Sequence, residues 1–197
     1  MKKTIRPRKT PQQARSKQTR KDILEATAHL LNRKPFGEVS TNHIAKKTGI
    51  SIGTLYKYYP NKDAILADLS LMYMQRDAEL FGQIFEDSSR KRQKKVVLVG
   101  DLVEALMTVH REDAQVRGVV YQNLERLKLL GSAQSATLRI QAKSTAAVPE
   151  LDPILTWIAI STVNAAVHSM SQIPREMQQW DFVRGLVWSI LDKLLNS

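Results

Sequence analysis

Between Ser40 and Tyr59 the chain reads STNHIAKKTGISIGTLYKYY, which divides into two short helices around a single glycine. Ser40 is placed to cap a helix from Thr41 to about Lys47, because its hydroxyl can accept an early backbone N–H that has no partner inside the helix. Gly49 then ends that helix, since glycine takes the left-handed conformation without a Cβ penalty. Ser51 caps the second helix, Ile52 to Tyr58, and the short turn between the two suits a helix-turn-helix. Ile44, Ala45, Ile50 and Leu55 fall where the helices must meet, and Ala45 is small enough for close approach. Thr54, Tyr56, Lys57 and Tyr58 are left for the outer face, the side such a motif turns toward the DNA major groove.

A helix of this length spans about 10 Å and buries little on its own, so it must be braced. Upstream, TRKDILEATAHLL (residues 19–31) carries Ile23, Ala26, Thr27, Leu30 and Leu31 along one side. Thr19, followed by Asp22, predicts a capping box there, and the helix should stop before Pro35. Downstream, Asn61 after Pro60 predicts the cap of a longer helix reaching about Phe85, with Leu66, Leu69, Met72 or Tyr73, and Leu80 on its apolar side. SSRKRQKK (residues 88–95) then reads as an exposed, solvated joint. The rest shows helical stripes and no lasting strand-like alternation, which predicts an all-α chain. One stripe runs from Val96 to His110, a second from Val116 to Leu127, and a weaker third over residues 134–147. Asp152 and Pro153 open a well-marked helix with an unbroken face from Leu155 to Met170. A last helix, starting at Trp180, is apolar over a wide arc to Leu194.

The 197 residues contain no cysteine, which excludes disulfides and thiolate metal sites. The basic start MKKTIRPRKT is followed by no apolar stretch, and no run later in the chain is long enough to span a bilayer, so a cytoplasmic protein without a membrane partner is expected. The net charge of +11 is unevenly placed: residues 1–62 hold 15 Lys and Arg against 3 Asp and Glu, a net +12, and residues 63–197 hold 15 against 16, a net −1. A cationic half beside a helix-turn-helix points to a polyanion, because Lys and Arg near phosphates release condensed counterions. Residues 1–15 form a basic arm, expected to be disordered without DNA, whose Arg6 or Arg8 could reach a minor groove. No HExxH, GxSxG, glycine-rich phosphate loop or paired-carboxylate motif is present, and His29, His43, His110 and His168 are too scattered to suggest a metal site. Neither an enzyme nor a cofactor is expected.

The segment GISIGTLYKYYPNKDAIL (residues 49–66) resembles the signature of the tetracycline-repressor-like (TetR) transcriptional regulators, and the resemblance covers about Thr19 to Leu66. It implies an N-terminal three-helix DNA-binding domain over residues 16–62, joined by a fourth helix to a helical effector-binding and dimerisation domain over 63–197. Double-stranded DNA is the implied partner. Thr41, Thr54, Tyr58 and Lys62 are then placed for phosphates, Tyr56 and Lys57 for backbone and bases, and Asn42 for the groove edge, with Gly53 letting the helix start lie close. Ile52 departs from the polar or basic residue common there in the family and can offer only an apolar contact. Tyr59, where the family usually has phenylalanine, should pack inward. The two C-terminal helices, with small Ala159, Ala165 and Ala166, are expected to pair with those of a second subunit, which would set two reading helices about 34 Å apart. The resemblance further implies a small-molecule effector held among the body helices, for which Tyr121, Trp157, Asn164 and His168 are candidate lining residues. The function implied is a ligand-released repressor on a pseudo-palindromic operator; the alternative is an architectural protein that coats DNA without a ligand.

Overall fold

The computed structural model describes residues 14–91, 95–147, 154, 157–158, 161–162, 165–166, 169–170, 173, 177 and 179–195. The arm over 1–13, the cap at Asp152 and Pro153, and the pocket candidates Asn164 and His168 lie outside the described residues. Among the described residues eight helices have defined bounds, in order α1 (Ala14–Leu31), α2 (Thr41–Thr48), α3 (Ile52–Tyr58), α4 (Lys62–Lys91), α5 (Lys95–Glu112), α6 (Ala114–Asn123), α7 (Leu130–Ala147) and α8 (Trp180–Leu195). The described residues within 154–170 are also helical, and no strand occurs among the described residues.

Several helix limits differ from the sequence reading. Thr19 does not cap α1; it sits inside the helix, its hydroxyl donating to the Arg15 carbonyl at 3.0 Å. Nothing between Ala14 and Thr19 breaks a helix, so the turn before Thr19 is helical as well. α4 continues past Phe85 to Lys91, because EDSSRK (residues 86–91) contains neither Gly nor Pro and propagates a helix already formed. The stripe from Val116 to Leu127 is not one helix: α6 closes at Asn123, and a turn follows in which Leu127 N–H donates to the Asn123 carbonyl and Leu129 N–H to the Leu124 carbonyl. α7 begins at Leu130, earlier than the expected 134.

The chain separates into two compact units, one of Met1–Tyr73 with Val119–Leu130 and one of Met74–Gly118 with Gly131–Ser197, so the division falls within α4 and within α6. In the first unit α1 packs on α2 and α2 on α3. Ile23, Leu24, Ile44, Leu55, Ile65, Leu66 and Leu69 form its buried apolar set, with Leu124, Leu127 and Leu129 of the α6–α7 turn also buried.

The second unit has its own core of Phe81, Phe85, Leu98, Val103, Met107, Ala114, Ile140, Met170, Trp180 and Val187. Arg117 is buried there, its two terminal nitrogens donating to the Asp77 carboxylate at 2.8 and 2.9 Å and its Nε to the Val109 carbonyl at 3.1 Å. This paired fork satisfies a guanidinium that would otherwise be costly to bury, and it ties α4, α5 and α6 at one point. α5 packs closely on α8, and the contact depends on Gly100. A Cβ at that position would lie 2.7 Å from Cη2 and 2.9 Å from Cζ2 of the Trp188 indole, a rigid ring that cannot yield at its far end. Gly100→Ala should therefore overpack the α5–α8 contact and lower unfolding stability by about 1–3 kcal/mol in a denaturant titration. Unchanged or raised stability would show that the ring moves aside without cost.

Candidate DNA-binding surface

The two short helices are defined by their caps. Ser40 is extended at φ −105° and accepts the His43 N–H at 3.1 Å, and the His43 imidazole Nδ1 accepts the Ser40 N–H in return at 3.4 Å, a capping box with histidine in the usual glutamate position. Gly49 is left-handed at φ 75°. Its N–H bonds the Lys46 carbonyl at 3.2 Å and the Ile50 N–H bonds the Ala45 carbonyl at 3.1 Å, the paired bonds that close a helix at a left-handed residue. Ser51 Oγ accepts the Thr54 N–H at 3.1 Å and is hydrogen-bonded to the Thr54 hydroxyl at 2.9 Å. Asn61 caps α4 as expected, its Oδ1 accepting the Ala64 N–H at 2.9 Å.

α3 buries one side chain, Leu55, and exposes Ile52, Gly53, Tyr56 and Lys57, with Thr54 and Tyr58 half-buried on its flanks. The exposed four are spaced i, i+1, i+4 and i+5, which is one continuous helix face. Tyr56 crosses back to the start of α2, its hydroxyl hydrogen-bonded to that of Thr41 at 3.1 Å. The structure thus brings Thr41 and Tyr56 together, and Asn42 is exposed one residue further along α2. Lys62 is placed differently: its ammonium donates to the Phe36 carbonyl at 2.6 Å and lies 4.2 Å from the centre of the Phe36 ring, so it holds the α1–α2 loop.

Two supports of this surface went unnoticed in the sequence. Asp68 of α4 is buried, and its carboxylate accepts from Arg20 of α1, through Nε at 2.7 Å and through Nη2, and from the Tyr59 hydroxyl at 2.5 Å. Tyr59 itself is fully buried, as the sequence predicted. Burial and then the neighbouring Asp68 charge push its phenol well above the ordinary tyrosine range, and hydrogen bonding to Asp68 raises the Arg20 guanidinium. The second support is Arg126 on the α6–α7 turn, which pairs with the buried Asp63 carboxylate at 3.0 Å and lies 5.8 Å from the centre of the Phe36 ring. The available signal was an acid on an apolar helix face, since Asp68 falls between Ala67 and Leu69 in a run of buried residues.

Of the pocket candidates, Tyr121 is half-buried on α6 and Trp157 is half-exposed. Among the described residues no group of His, Asp or Glu could hold a metal ion, and no helix is long and apolar enough to cross a membrane.

A glycine-closed pair of helices, braced from both sides and exposing a tyrosine and a lysine, defines a helix-turn-helix domain. Residues 23–69 match the family model for bacterial regulatory proteins of the tetR family. Over 74 residues the chain is 34% identical to the HTH-type transcriptional regulator EthR of Mycolicibacterium smegmatis, covering 38% of this chain and 34% of that protein. Over 66 residues it is 35% identical to the HTH-type transcriptional regulator SAUSA300_2515 of Staphylococcus aureus, covering 34% of each. The sequence match thus spans about a third of the length of these curated relatives. Among solved structures, a candidate TetR-family regulator from Mesorhizobium loti aligns with TM-score 0.74 at 17% identity, over 93% of this chain and 98% of that one. A TetR-family regulator from Streptomyces coelicolor aligns with TM-score 0.63 at 15% identity, over 90% and 98%. The N-terminal helices are a TetR-family domain, and the chain has the fold of TetR-family regulators.

The Asp68 cluster gives a pH signature. Tyr59→Phe removes one hydrogen bond to a buried carboxylate and should cost about 1–3 kcal/mol at neutral pH. Because the folded phenol is raised, folded protein holds its proton while unfolded chain releases it, so wild-type stability falls as pH rises past the ordinary tyrosine value of about 10. The deficit of Tyr59→Phe should therefore shrink above that pH in urea titrations. A deficit constant through pH 11 contradicts the buried phenol–carboxylate bond.

Proposed function

We propose that the chain is a sequence-specific DNA-binding transcriptional regulator that acts as a homodimer on a pseudo-palindromic operator and is released by a small molecule. The observation that carries this reading is the exposed face of α3, where Tyr56 and Lys57 stand clear of the core on a helix whose caps are all engaged. The +12 charge of residues 1–62 supports it, supplying the sequence-independent attraction to phosphates. Thr41, Thr54 and Tyr58 serve the DNA phosphates; Tyr56 and Lys57 reach backbone and bases, and Asn42 the groove edge; Gly53 permits close approach. Lys62 contributes chiefly by fixing Phe36 ahead of α2. Residues 16–62 form the DNA-binding domain and residues 63–197 the domain for effector and partner subunit. A protein that regulates transcription works in the bacterial cytoplasm, where the DNA is, and needs no catalytic group of its own.

Dimerisation is supported by apolar side chains left in water on both C-terminal helical segments: Ile154 is 69% exposed, Trp157 50%, Phe182 67% and Leu186 50%. Phe182 and Leu186 are one turn apart on α8, while Trp180 and Val187 face the core, so α8 is apolar on two sides. Trp157 then belongs with the subunit interface, leaving Tyr121, Asn164 and His168 as the pocket candidates. A switch between bound and released states requires only that the effector bind the two arrangements unequally.

Tyr56→Ala should weaken operator binding at least tenfold while leaving the unfolding midpoint nearly unchanged; wild-type affinity would count against this docking. Phe182→Glu with Leu186→Glu should yield a monomer in analytical ultracentrifugation and lose operator binding, whereas a dimer of unchanged affinity would remove α8 from the interface. Raising salt should weaken binding steeply. Equal affinity for random and selected duplexes would favour the DNA-coating alternative.

A further inference from the structure

Ile52 is the first residue of α3 and is 37% exposed, on the same face as Tyr56 one turn later. The buried side of α3 is formed by Leu55, so Ile52 is not what attaches the helix to the core. Beside it Gly53 carries no side chain, and a Cβ built there would have Ser51 Oγ as its neighbour, at 3.9 Å. That oxygen is already engaged by the Thr54 N–H and hydroxyl, so it does not compete for a base. The reading face therefore begins with a β-branched hydrocarbon, whose first side-chain torsion is restricted in a helix.

Every base pair offers hydrogen-bonding groups in the major groove, but thymine alone adds an apolar one, its C5 methyl. Isoleucine can neither donate nor accept a hydrogen bond. Set against the cytosine amino group it would strip water from a donor without replacing the bond, which is unfavourable. Set against the thymine methyl it removes apolar surface of both partners from water. We infer that Ile52 is a specificity-determining residue that selects thymine by its methyl group at one position of each half-site. This rests on the DNA-binding reading given above and extends it to the identity of one base.

The test uses the full chain and duplexes selected by it from a random pool. Each thymine of the selected half-site is replaced singly by uracil, which lacks only the methyl, and binding is titrated for wild type, Ile52→Ala and Ile52→Val. One uracil position should lower wild-type affinity about fourfold, the effect of losing one buried methyl contact. Ile52→Val should keep that sensitivity, and Ile52→Ala should bind the thymine and uracil duplexes alike. Circular dichroism confirms that the alanine variant is folded; should it unfold, the comparison of wild type with Ile52→Val decides by whether both respond at the same position. A preferred duplex whose affinity is indifferent to every uracil, or an equal loss in Ile52→Ala, overturns the inference and leaves the regulator reading intact. Failure to select any preferred duplex overturns both.

Discussion

The reading helix is held in place by a buried carboxylate. Asp68 would be expensive to enclose alone, since an ionised acid gives up its hydration on leaving water. Its lone pairs are met instead by the Arg20 fork and the Tyr59 hydroxyl, which arrive from α1 and from the residue that ends α3. One acid thus joins the helix before the motif, the end of the reading helix and the helix after it. The geometry matters because α3 is seven residues long and has Leu55 as its buried anchor. A helix so short takes its stability from neighbours and not from propagation. Apolar packing alone would hold it near its place, while directional bonds at Tyr59, Ser51 and Tyr56 fix which four positions face outward.

What was legible in the sequence was local. The limits of α2 and α3 follow from Ser40, Gly49 and Ser51, whose side chains or backbone act within four residues, and the observed caps are those expected. Thr19 takes a different role from the one its neighbours suggest. A threonine followed three residues later by an acid fits a capping box, yet a helix that already includes Ala14 turns the same hydroxyl to the Arg15 carbonyl. The exposure of Tyr56 and Lys57 was visible from spacing, and the inward turn of Tyr59 was implied by the family resemblance. The partners of Tyr59 were not, because Arg20 and Asp68 are 48 residues apart and either could be an ordinary surface charge. The length of α4 was missed because the polar composition of residues 86–91 resembles a solvated loop, although nothing in it prevents a helix from continuing. The suggested pocket residues had no local signature; the wide apolar arc of the last helix was read from spacing, and the exposure of Phe182 and Leu186 on it came from the structure.

The charge of the N-terminal segment and the face of α3 do different work. Long-range attraction to phosphate needs only many cations, which Lys46, Lys47, Arg33 and Lys34 supply from exposed positions. The imidazole of His29, near the end of α1, is lowered by desolvation first and then by Arg33 and Lys47. In the proposed function the field of these cations serves to draw a duplex in but cannot tell one sequence from another, because phosphates are alike at every step. Discrimination falls to the few groups that reach base edges, and α3 presents four positions, one of them a bare glycine.

Placement of those positions does not rest on neighbouring sequence alone. Asp63, in the first turn of α4, pairs with Arg126, and Phe36, just ahead of α2, is met by both Lys62 and Arg126. Residues flanking the helix-turn-helix on either side are therefore held by a turn that enters the chain some sixty residues later, and the same turn buries Leu124, Leu127 and Leu129. The three-helix motif recognised in the sequence is consequently incomplete as a packed object: the unit that contains it includes residues 119–130. A fragment cut after α3 would lose the Asp68 clamp and the Arg126 brace together, so the shape that faces DNA is a property of the longer chain and not of the motif in isolation.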